Sequence, residues 1–212
     1  MEINPAELPA ASVNRLLLST VAPRPIAWVS TLDKQGRPNL APFSFFNVVC
    51  YRPPTLLFCP GVRGIDSATK DTLNNIRATG EYVINVVTQA TAEAMNRTAT
   101  ELPAGEDEFE FGGLTPAPSL KVKPARVAES PVNFECQLRQ IVDVGDGGIG
   151  SASIIIGEIV HMRIADEVML PDFKIDQRAL QLVGRLGGYS YARVTDIFDM
   201  KRLPHQLPVD KP

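Results

Sequence analysis

Hydroxyl groups, a lysine and glycines cluster in the segment GVRGIDSATKDT, residues 61–72. Ser67, Thr69 and Thr72 offer hydroxyl donors, and Lys70 adds a positive charge beside them. Glycine leaves main-chain N–H groups accessible, and a helix that begins here would present the positive end of its dipole. These are the donors that a phosphomonoester dianion needs. Because the pattern GxxxxGK[ST] is absent, a capped loop with a solvated charge is the alternative interpretation.

Polar side chains also interrupt an aromatic strand in the stretch NLAPFSFFNVV. Phe43 and Phe45 share one face of such a strand, whereas Ser44 and Phe46 share the other. Rings therefore point to both faces, and Asn47 follows them directly. Either protein covers both faces, or part of the strand lies in an interface or against a flat ligand.

The preceding strand carries two hydroxyl groups where it approaches a turn, in the motif WVST. Alternation directs Trp28 and Ser30 to one face of this strand. Val29 and Thr31 then point to the opposite face. Hydroxyls at a strand end face solvent in most proteins, and at the rim of a barrel they can also contact a ligand. Trp28 is the only tryptophan, and packing in the core is the usual role for such a residue.

Residues 145–150, GDGGIG, match the dinucleotide-binding pattern GxGxxG. That pattern binds pyrophosphate only where a helix follows it, because the N-terminus of the helix faces the phosphates. Here SASIII follows, and a β-branched run is a poor helix former. The sequence therefore predicts a hairpin turn at this point.

No side chains are arranged for acid–base, nucleophilic or metal chemistry. The sequence has no Ser-His-Asp order, nucleophile elbow or close pair of carboxylates. The three cysteines form no CxxC pair, and the two histidines, His161 and His205, lie far apart without an HExxH pattern. We therefore predict no catalytic side chain and no metal site, and we expect any chemistry to come from a bound cofactor.

The elements that position these residues are predominantly strands. Alternating or β-rich runs predict them at residues 26–32, 43–49, 55–60, 81–87, 133–144 and 151–169. Short helices are expected in KDTLNNIRATG, ending at Gly80, and in TAEAMNRTAT and DQRAL. Many strands at short spacing with a few small helices favour a mainly β, antiparallel barrel or sandwich.

Length and composition indicate one globular domain over residues 1–212, with a polar C-terminal tail from about residue 199. The net charge of -3 gives no basic footprint for nucleic acid. No apolar run is long enough to span a membrane, and the N-terminus lacks the features of a signal peptide. We therefore expect a cytoplasmic protein that contacts neither nucleic acid nor membrane.

Five segments carry a family resemblance: RPIAWVST (24–31), NLAPFSFFN (39–47), KDTLNNI (70–76), EYVINVV (81–87) and GRLGGYSYAR (184–193). In their joint order and spacing they resemble the flavin reductase-like family, whose members adopt the FMN-binding split barrel. The resemblance covers roughly residues 12 to 195. It implies a six-stranded Greek-key barrel with small helices that forms a homodimer, with FMN bound non-covalently near the dimer interface.

The resemblance also implies which residues bind FMN. Ser30 and Thr31 would lie beside the ribityl-phosphate, residues 42–47 would line the isoalloxazine, and residues 70–72 would reach the phosphate. The implied set is Trp28, Ser30, Thr31, Pro42, Phe43, Ser44, Phe45, Phe46, Asn47, Lys70, Asp71 and Thr72.

The activity that the resemblance implies is that of an NAD(P)H-dependent flavin reductase, in which NADH or NADPH passes hydride to flavin N5. The electrons would then pass to a second flavin, a partner oxygenase, a metal ion or another acceptor. Related barrels also act as flavoredoxin-like electron carriers without nicotinamide activity, and a protein that stores flavin or haem is a third alternative. His161 is a further candidate contact for nicotinamide, although its alternating strand EIVHMRI gives it an ordinary structural explanation.

Overall fold

The structure, a computed structural model, describes residues 1–64, 67–103 and 106–202. The main strands are β1 Ala27–Leu32, β2 Pro38–Phe43, β3 Phe46–Tyr51, β4 Pro54–Phe58, β5 Glu81–Val86, β8 Val132–Val144 and β9 Ala152–Ile164. Shorter strands are β6 Pro116–Ala117, β7 Arg126–Val127, β10 Met169–Leu170, β11 Lys174–Ile175, β12 Val183–Arg185 and β13 Tyr191–Arg193. The helices are α1 Ala10–Thr20, α2 Asp71–Thr79, α3 Ala92–Arg97, α4 Glu108–Gly112 and α5 Gln177–Leu180.

The main strands form one antiparallel sheet in the order β2-β1-β5-β8-β9-β4-β3. Its two edge strands, β2 and β3, are consecutive in the chain and are joined only by Ser44 and Phe45. The sheet must therefore curl until its edges meet, and the Phe45 carbonyl accepts the Cys59 N–H at 2.8 Å beyond the end of β4. The mainly β, antiparallel architecture expected from the sequence is confirmed.

The number of strands in this sheet is seven, not the predicted six. The difference arises where the sequence predicts one strand over residues 43–49. Phe43 ends β2, which pairs with β1, and Phe46 begins β3, which pairs with β4. The chain bends between them because one segment serves both edges of the closing sheet.

The interior of the barrel is a single apolar cluster to which all seven strands contribute. Phe43, Phe58 and Tyr82 pack in series, with ring centroids 5.2 Å and 5.6 Å apart; the first pair is tilted and the second is edge-to-face. A second cluster lies outside the sheet, where Trp28 packs beneath α3 and α4. The alternation predicted for β1 is confirmed, because Val29 joins the interior cluster and Trp28 the outer one.

Two predicted turns are present. β8 and β9 form a long hairpin whose turn contains the glycines of GDGGIG, so this segment is not a dinucleotide loop. Gly80 ends α2 in the left-handed conformation at φ 72°, as expected of a helix C-terminus.

Among the described residues, no helix has the length and apolar character needed to cross a membrane. The predicted polar tail lies mostly outside the described residues, which end at 202.

Candidate flavin site

A cleft lies between β2 and the start of α2. Pro42 and Phe43 line it from β2, and Lys70, Asp71 and Thr72 line it from the helix. Arg63, Glu101 and Glu108 complete its charged lining. The structure therefore brings the predicted phosphate segment next to the first half of the predicted ring segment.

The first turn of α2 faces this cleft without a side-chain cap. Lys70 is the N-cap residue, and its side chain makes no capping hydrogen bond. A helix start leaves its first main-chain N–H groups without intrahelical acceptors. The N–H groups of Asp71 and Thr72 are thus placed to bind an anion, whereas the Asp71 carboxylate has no proton to donate.

A buried hydrogen-bond network orients the Thr72 hydroxyl. Asn39 Nδ2 donates to Thr72 Oγ1 at 2.9 Å and approaches Thr31 Oγ1 at 3.4 Å. Asn75 Nδ2 donates to Thr31 Oγ1 at 3.0 Å. Because Thr72 Oγ1 accepts from Asn39, its own proton is available to another acceptor. Thr31 is buried beneath the cleft and supports it from below.

The charges around the cleft are mixed. Lys70 Nζ lies 3.6 Å from Glu101 Oε1. Glu108 Oε2 accepts the Leu40 N–H at 3.2 Å, and burial raises the pKa of the Glu108 carboxyl, with Asp107 and Asp71 adding to the effect. An anion that enters the cleft must therefore compete with Glu101 for Lys70.

The break between β2 and β3 holds the remaining predicted ring contacts. The Ser44 hydroxyl accepts a hydrogen bond from Arg24 Nε at 3.3 Å. The Phe45 side chain is 47% exposed, whereas Phe46 packs against the barrel interior. Asn47 is exposed, and its Oδ1 accepts the Val48 N–H. The bend thus explains how the three rings are accommodated: Phe43 and Phe46 point inwards and Phe45 faces outwards.

Two residues implied by the resemblance do not line the cleft. Trp28 is fully buried in the outer cluster, where its Nε1 donates to Thr98 Oγ1 at 2.9 Å. Ser30 is also buried, and its hydroxyl donates to the carbonyl oxygen of Ala125. Both side chains point to the face of β1 opposite Val29, so the fold gives them structural partners instead of contacts with the cleft.

His161 lies beside a buried carboxylate. Its Nδ1 lies 3.2 Å from Oε1 of the buried Glu135 on the neighbouring strand β8. The two carboxylate oxygens of Glu135 accept the main-chain N–H groups of Leu120 and Lys121. Glu135 thereby fastens the segment before β7 to the sheet, and His161 stands beside this junction.

Sequence reasoning missed two residues of the site, Asn39 and Arg24. Asn39 begins the predicted stretch NLAPFSFFNVV but lies next to a turn, where asparagine is common. Arg24 precedes a proline in RPIAWVST, and its distant hydrogen-bond partners have no local signature. Asn39 bonds to α2, whereas Arg24 bonds to the end of α1, to the break between β2 and β3 and to Leu186, so these contacts exist only in the assembled fold.

The model of the flavin reductase like domain matches residues 19–179 of the sequence. The chain belongs to the flavin reductase-like family. It is 39% identical over 203 residues to an uncharacterised protein of Halalkalibacterium halodurans, covering 95% of this chain and 96% of that one.

Solved structures agree with this membership. Nitrilotriacetate monooxygenase component B from Bacillus cereus superposes with a TM-score of 0.89 at 30% identity, covering 94% of this chain and 98% of that one. A split barrel domain protein from Shewanella frigidimarina superposes with a TM-score of 0.80 at 26% identity, covering 97% and 100% of the two chains. The sheet that closes through Ser44 and Phe45 is thus the split barrel of this family.

Proposed function

We propose that the chain binds FMN and acts as an NAD(P)H-dependent flavin reductase. The observation that carries the proposal is the uncapped start of α2, which opens into the same cleft as residues 42–43 of the barrel rim. In a flavin reductase-like chain, this cleft offers donors for a phosphate next to a surface for a ring.

The residues present fit a flavin mononucleotide. The N–H groups of Asp71 and Thr72, the Thr72 hydroxyl and the Lys70 ammonium would hold the phosphate. Lys70 would exchange its exposed carboxylate partner, Glu101, for the ligand. Pro42, Ser44 and Asn47 and the exposed ring of Phe45 would face the isoalloxazine at the break in the barrel. Asn39 would act beneath them by fixing the Thr72 hydroxyl.

In this proposal the chain's own residues bind and orient the flavin, and none of them needs to exchange a proton with it. When bound, FMN supplies the chemistry of accepting a hydride and passing on electrons. The rim of the barrel would leave one face of the ring open to NADH or NADPH. Correct placement of two reactants can by itself contribute a large part of a rate enhancement.

A second copy of the chain is the proposed partner at the exposed side of β3. Val48, Val49 and Tyr51 are 65%, 47% and 91% exposed, although they lie on one strand of the main sheet. Contiguous apolar exposure of this kind is typical of an interface. We expect the wild-type chain to sediment as a dimer and the Val48→Lys/Tyr51→Ser variant to sediment as a monomer. An unchanged sedimentation coefficient in the variant would contradict this interface.

The electron acceptor is proposed by analogy. A similar chain is named as component B of a monooxygenase, so a partner oxygenase that consumes reduced flavin is one acceptor class for this chain. The alternative is a flavoredoxin-like electron carrier that binds FMN without reacting with nicotinamide.

Two measurements test the proposal. Purified protein mixed with excess FMN should retain the flavin on desalting, and a colourless product would overturn FMN binding. Anaerobic addition of NADH or NADPH should then bleach the oxidised-flavin band faster than in protein-free FMN. If the flavin bleaches no faster than in that control, the reductase function is wrong and the electron-carrier function remains.

The phosphate assignment has its own variant. Lys70→Ala should weaken FMN binding by about tenfold or more, because charge-assisted hydrogen bonds are worth about 1.5–3 kcal/mol. Riboflavin, which lacks the phosphate, should bind the variant and the wild type equally. Equal weakening of both ligands would place the phosphate elsewhere.

A further inference from the structure

Arg24 is a buried cation, 6% exposed, at a point where three parts of the fold meet. Its Nη1 donates to the carbonyl oxygens of Leu18 and Val21, at 2.7 and 2.8 Å, at the C-terminal end of α1. Its Nη2 donates to the Leu186 carbonyl at 3.1 Å, between β12 and β13. Its Nε donates to Ser44 Oγ at 3.3 Å, at the break between β2 and β3.

The charge of Arg24 is not balanced by a carboxylate. Its acceptors are carbonyl and hydroxyl oxygens, and it forms no ion pair with any carboxylate in the described parts of the chain. Burial lowers the pKa of the guanidinium, and the neighbouring Arg185 lowers it further, but arginine stays protonated in proteins. A buried charge without a counter-ion is costly, and its field is weakly screened.

The hydrogen bond from Arg24 fixes what the Ser44 hydroxyl can do. Because Oγ accepts from Nε, the hydroxyl proton of Ser44 is left to donate to another group. Arg24 Cζ also lies 5.9 Å from the centroid of the exposed Phe45 ring. The cation, the oriented hydroxyl and the open ring thus gather at the break in the barrel, where the proposed function places the isoalloxazine.

We propose that Arg24 is a positioning residue of the flavin site, which holds the Ser44 hydroxyl as a donor to the ring and favours the reduced flavin over the oxidised flavin. The proposal rests on FMN binding as proposed above. Reduced flavin carries more negative charge than oxidised flavin, so a nearby positive charge binds it more tightly. The bound cofactor would therefore have a less negative midpoint potential than it would have without Arg24.

The test compares midpoint potentials of bound FMN, measured by equilibration with redox dyes, in four variants. Arg24→Gln removes the charge, and we expect reduced FMN to lose about tenfold more affinity than oxidised FMN, a shift of about -30 mV. Arg24→Lys keeps the charge but cannot form the same fork of hydrogen bonds, so its potential should stay near the wild-type value even if its stability falls. Ser44→Ala should shift the potential in the same direction as Arg24→Gln. Arg193→Gln removes an exposed cation from the neighbouring hairpin and should leave the potential unchanged.

The outcomes separate this role from a purely structural one. If Arg24→Gln weakens both oxidation states equally and the potential is unchanged, Arg24 only supports the fold and the proposal is wrong. Should Arg24→Gln fail to fold, Ser44→Ala decides alone, and an unaltered potential there also overturns the proposal. FMN binding is tested separately: if wild-type protein emerges colourless from desalting with FMN, the proposed function is wrong. The potential measurements test only the role of Arg24.

Discussion

Asn39 Nδ2 donates a 2.9 Å hydrogen bond to Thr72 Oγ1, across the gap between β2 and the first turn of α2. This bond joins the barrel to the helix that faces the candidate phosphate site. It also determines the direction of the Thr72 proton, because an oxygen that accepts from Asn39 donates elsewhere. The binding of phosphate is therefore expected to depend on a residue that lies behind the ligand.

We predict that Asn39→Ala weakens FMN binding by about fivefold, since one neutral hydrogen bond is worth about 1 kcal/mol. Asn39→Asp should weaken it more, because a carboxylate would accept the Thr72 proton and would repel the phosphate. Dissociation constants for FMN and riboflavin, from quenching of flavin fluorescence, measure the effect.

The matched control for Asn39 is Asn75→Ala. Asn75 is equally buried but donates to Thr31, not to Thr72. It should lower stability while leaving the preference for FMN over riboflavin as in the wild type. If both alanine variants lose that preference to a similar extent, the network only stabilises the fold around the cleft, and the bond from Asn39 to Thr72 has no specific role in binding phosphate.

Glu101 is predicted to compete with the ligand for Lys70. Their side chains are one-quarter and one-third exposed, and such a pair is worth about 0–1 kcal/mol. Glu101→Gln should therefore tighten FMN binding by up to about fivefold and leave riboflavin binding unchanged. The gain should vanish in the Lys70→Ala background, as a double-mutant cycle would show.

A control for net charge accompanies this variant. Asp172→Asn removes one negative charge on the β10–β11 hairpin, where Asp172 lies beside Lys174. If this variant tightens FMN binding as much as Glu101→Gln does, the effect is one of overall charge and not of Lys70.

The sequence is sufficient to predict elements whose signals are local. The β-rich runs of β5, β8 and β9 and the glycine that ends α2 are where their patterns place them. The division of residues 43–49 into two strands has no such signal, because it follows from closing the sheet between β1 and β4.

The candidate site was predictable to the same extent. Lys70 and Thr72 stand in a segment whose composition suits a phosphate. Asn39 lies 33 residues before Thr72, and only the assembled fold makes them neighbours. Trp28 and Ser30 are the opposite case: the resemblance implies that they bind FMN, but in the fold they donate to the Thr98 hydroxyl and the Ala125 carbonyl oxygen.

Glu108 gives the unfolding free energy a dependence on pH. Burial raises the pKa of its carboxyl in the folded protein above the ordinary value of about 4.3 for an unfolded chain. Between these two pKa values the folded state binds more protons than the unfolded state, so stability falls as pH rises through that interval. We predict that Glu108→Gln reduces this fall.

Urea unfolding at about pH 4 and about pH 7 measures the Glu108 effect. The free energy of Glu108→Gln relative to the wild type should be more favourable at the higher pH. The glutamine can still accept the Leu40 N–H, so the backbone contact is retained. A difference between the two proteins that is constant with pH would contradict a raised pKa at this residue.

Gly157 in β9 is predicted to be replaceable only if Tyr82 is changed as well. A Cβ at residue 157 would overlap the Tyr82 hydroxyl and would lie 2.7 Å from Tyr82 Cζ and 3.1 Å from the Gln137 carbonyl oxygen. The hydroxyl is itself buried without a hydrogen-bond partner of ordinary geometry among the described residues. Tyr82→Phe should therefore be nearly neutral or stabilising.

Overpacking of this kind costs about 1–3 kcal/mol, so Gly157→Ala alone should lower the free energy of unfolding by that amount. In the Tyr82→Phe background the cost should be smaller by about 1 kcal/mol, because the hydroxyl overlap is gone while the contacts with the ring and with Gln137 remain. Chemical denaturation of the four proteins gives the coupling energy. Strictly additive effects would mean that the strand shifts to relieve the overlap, and that the Tyr82 hydroxyl does not dictate glycine at this point of the barrel wall.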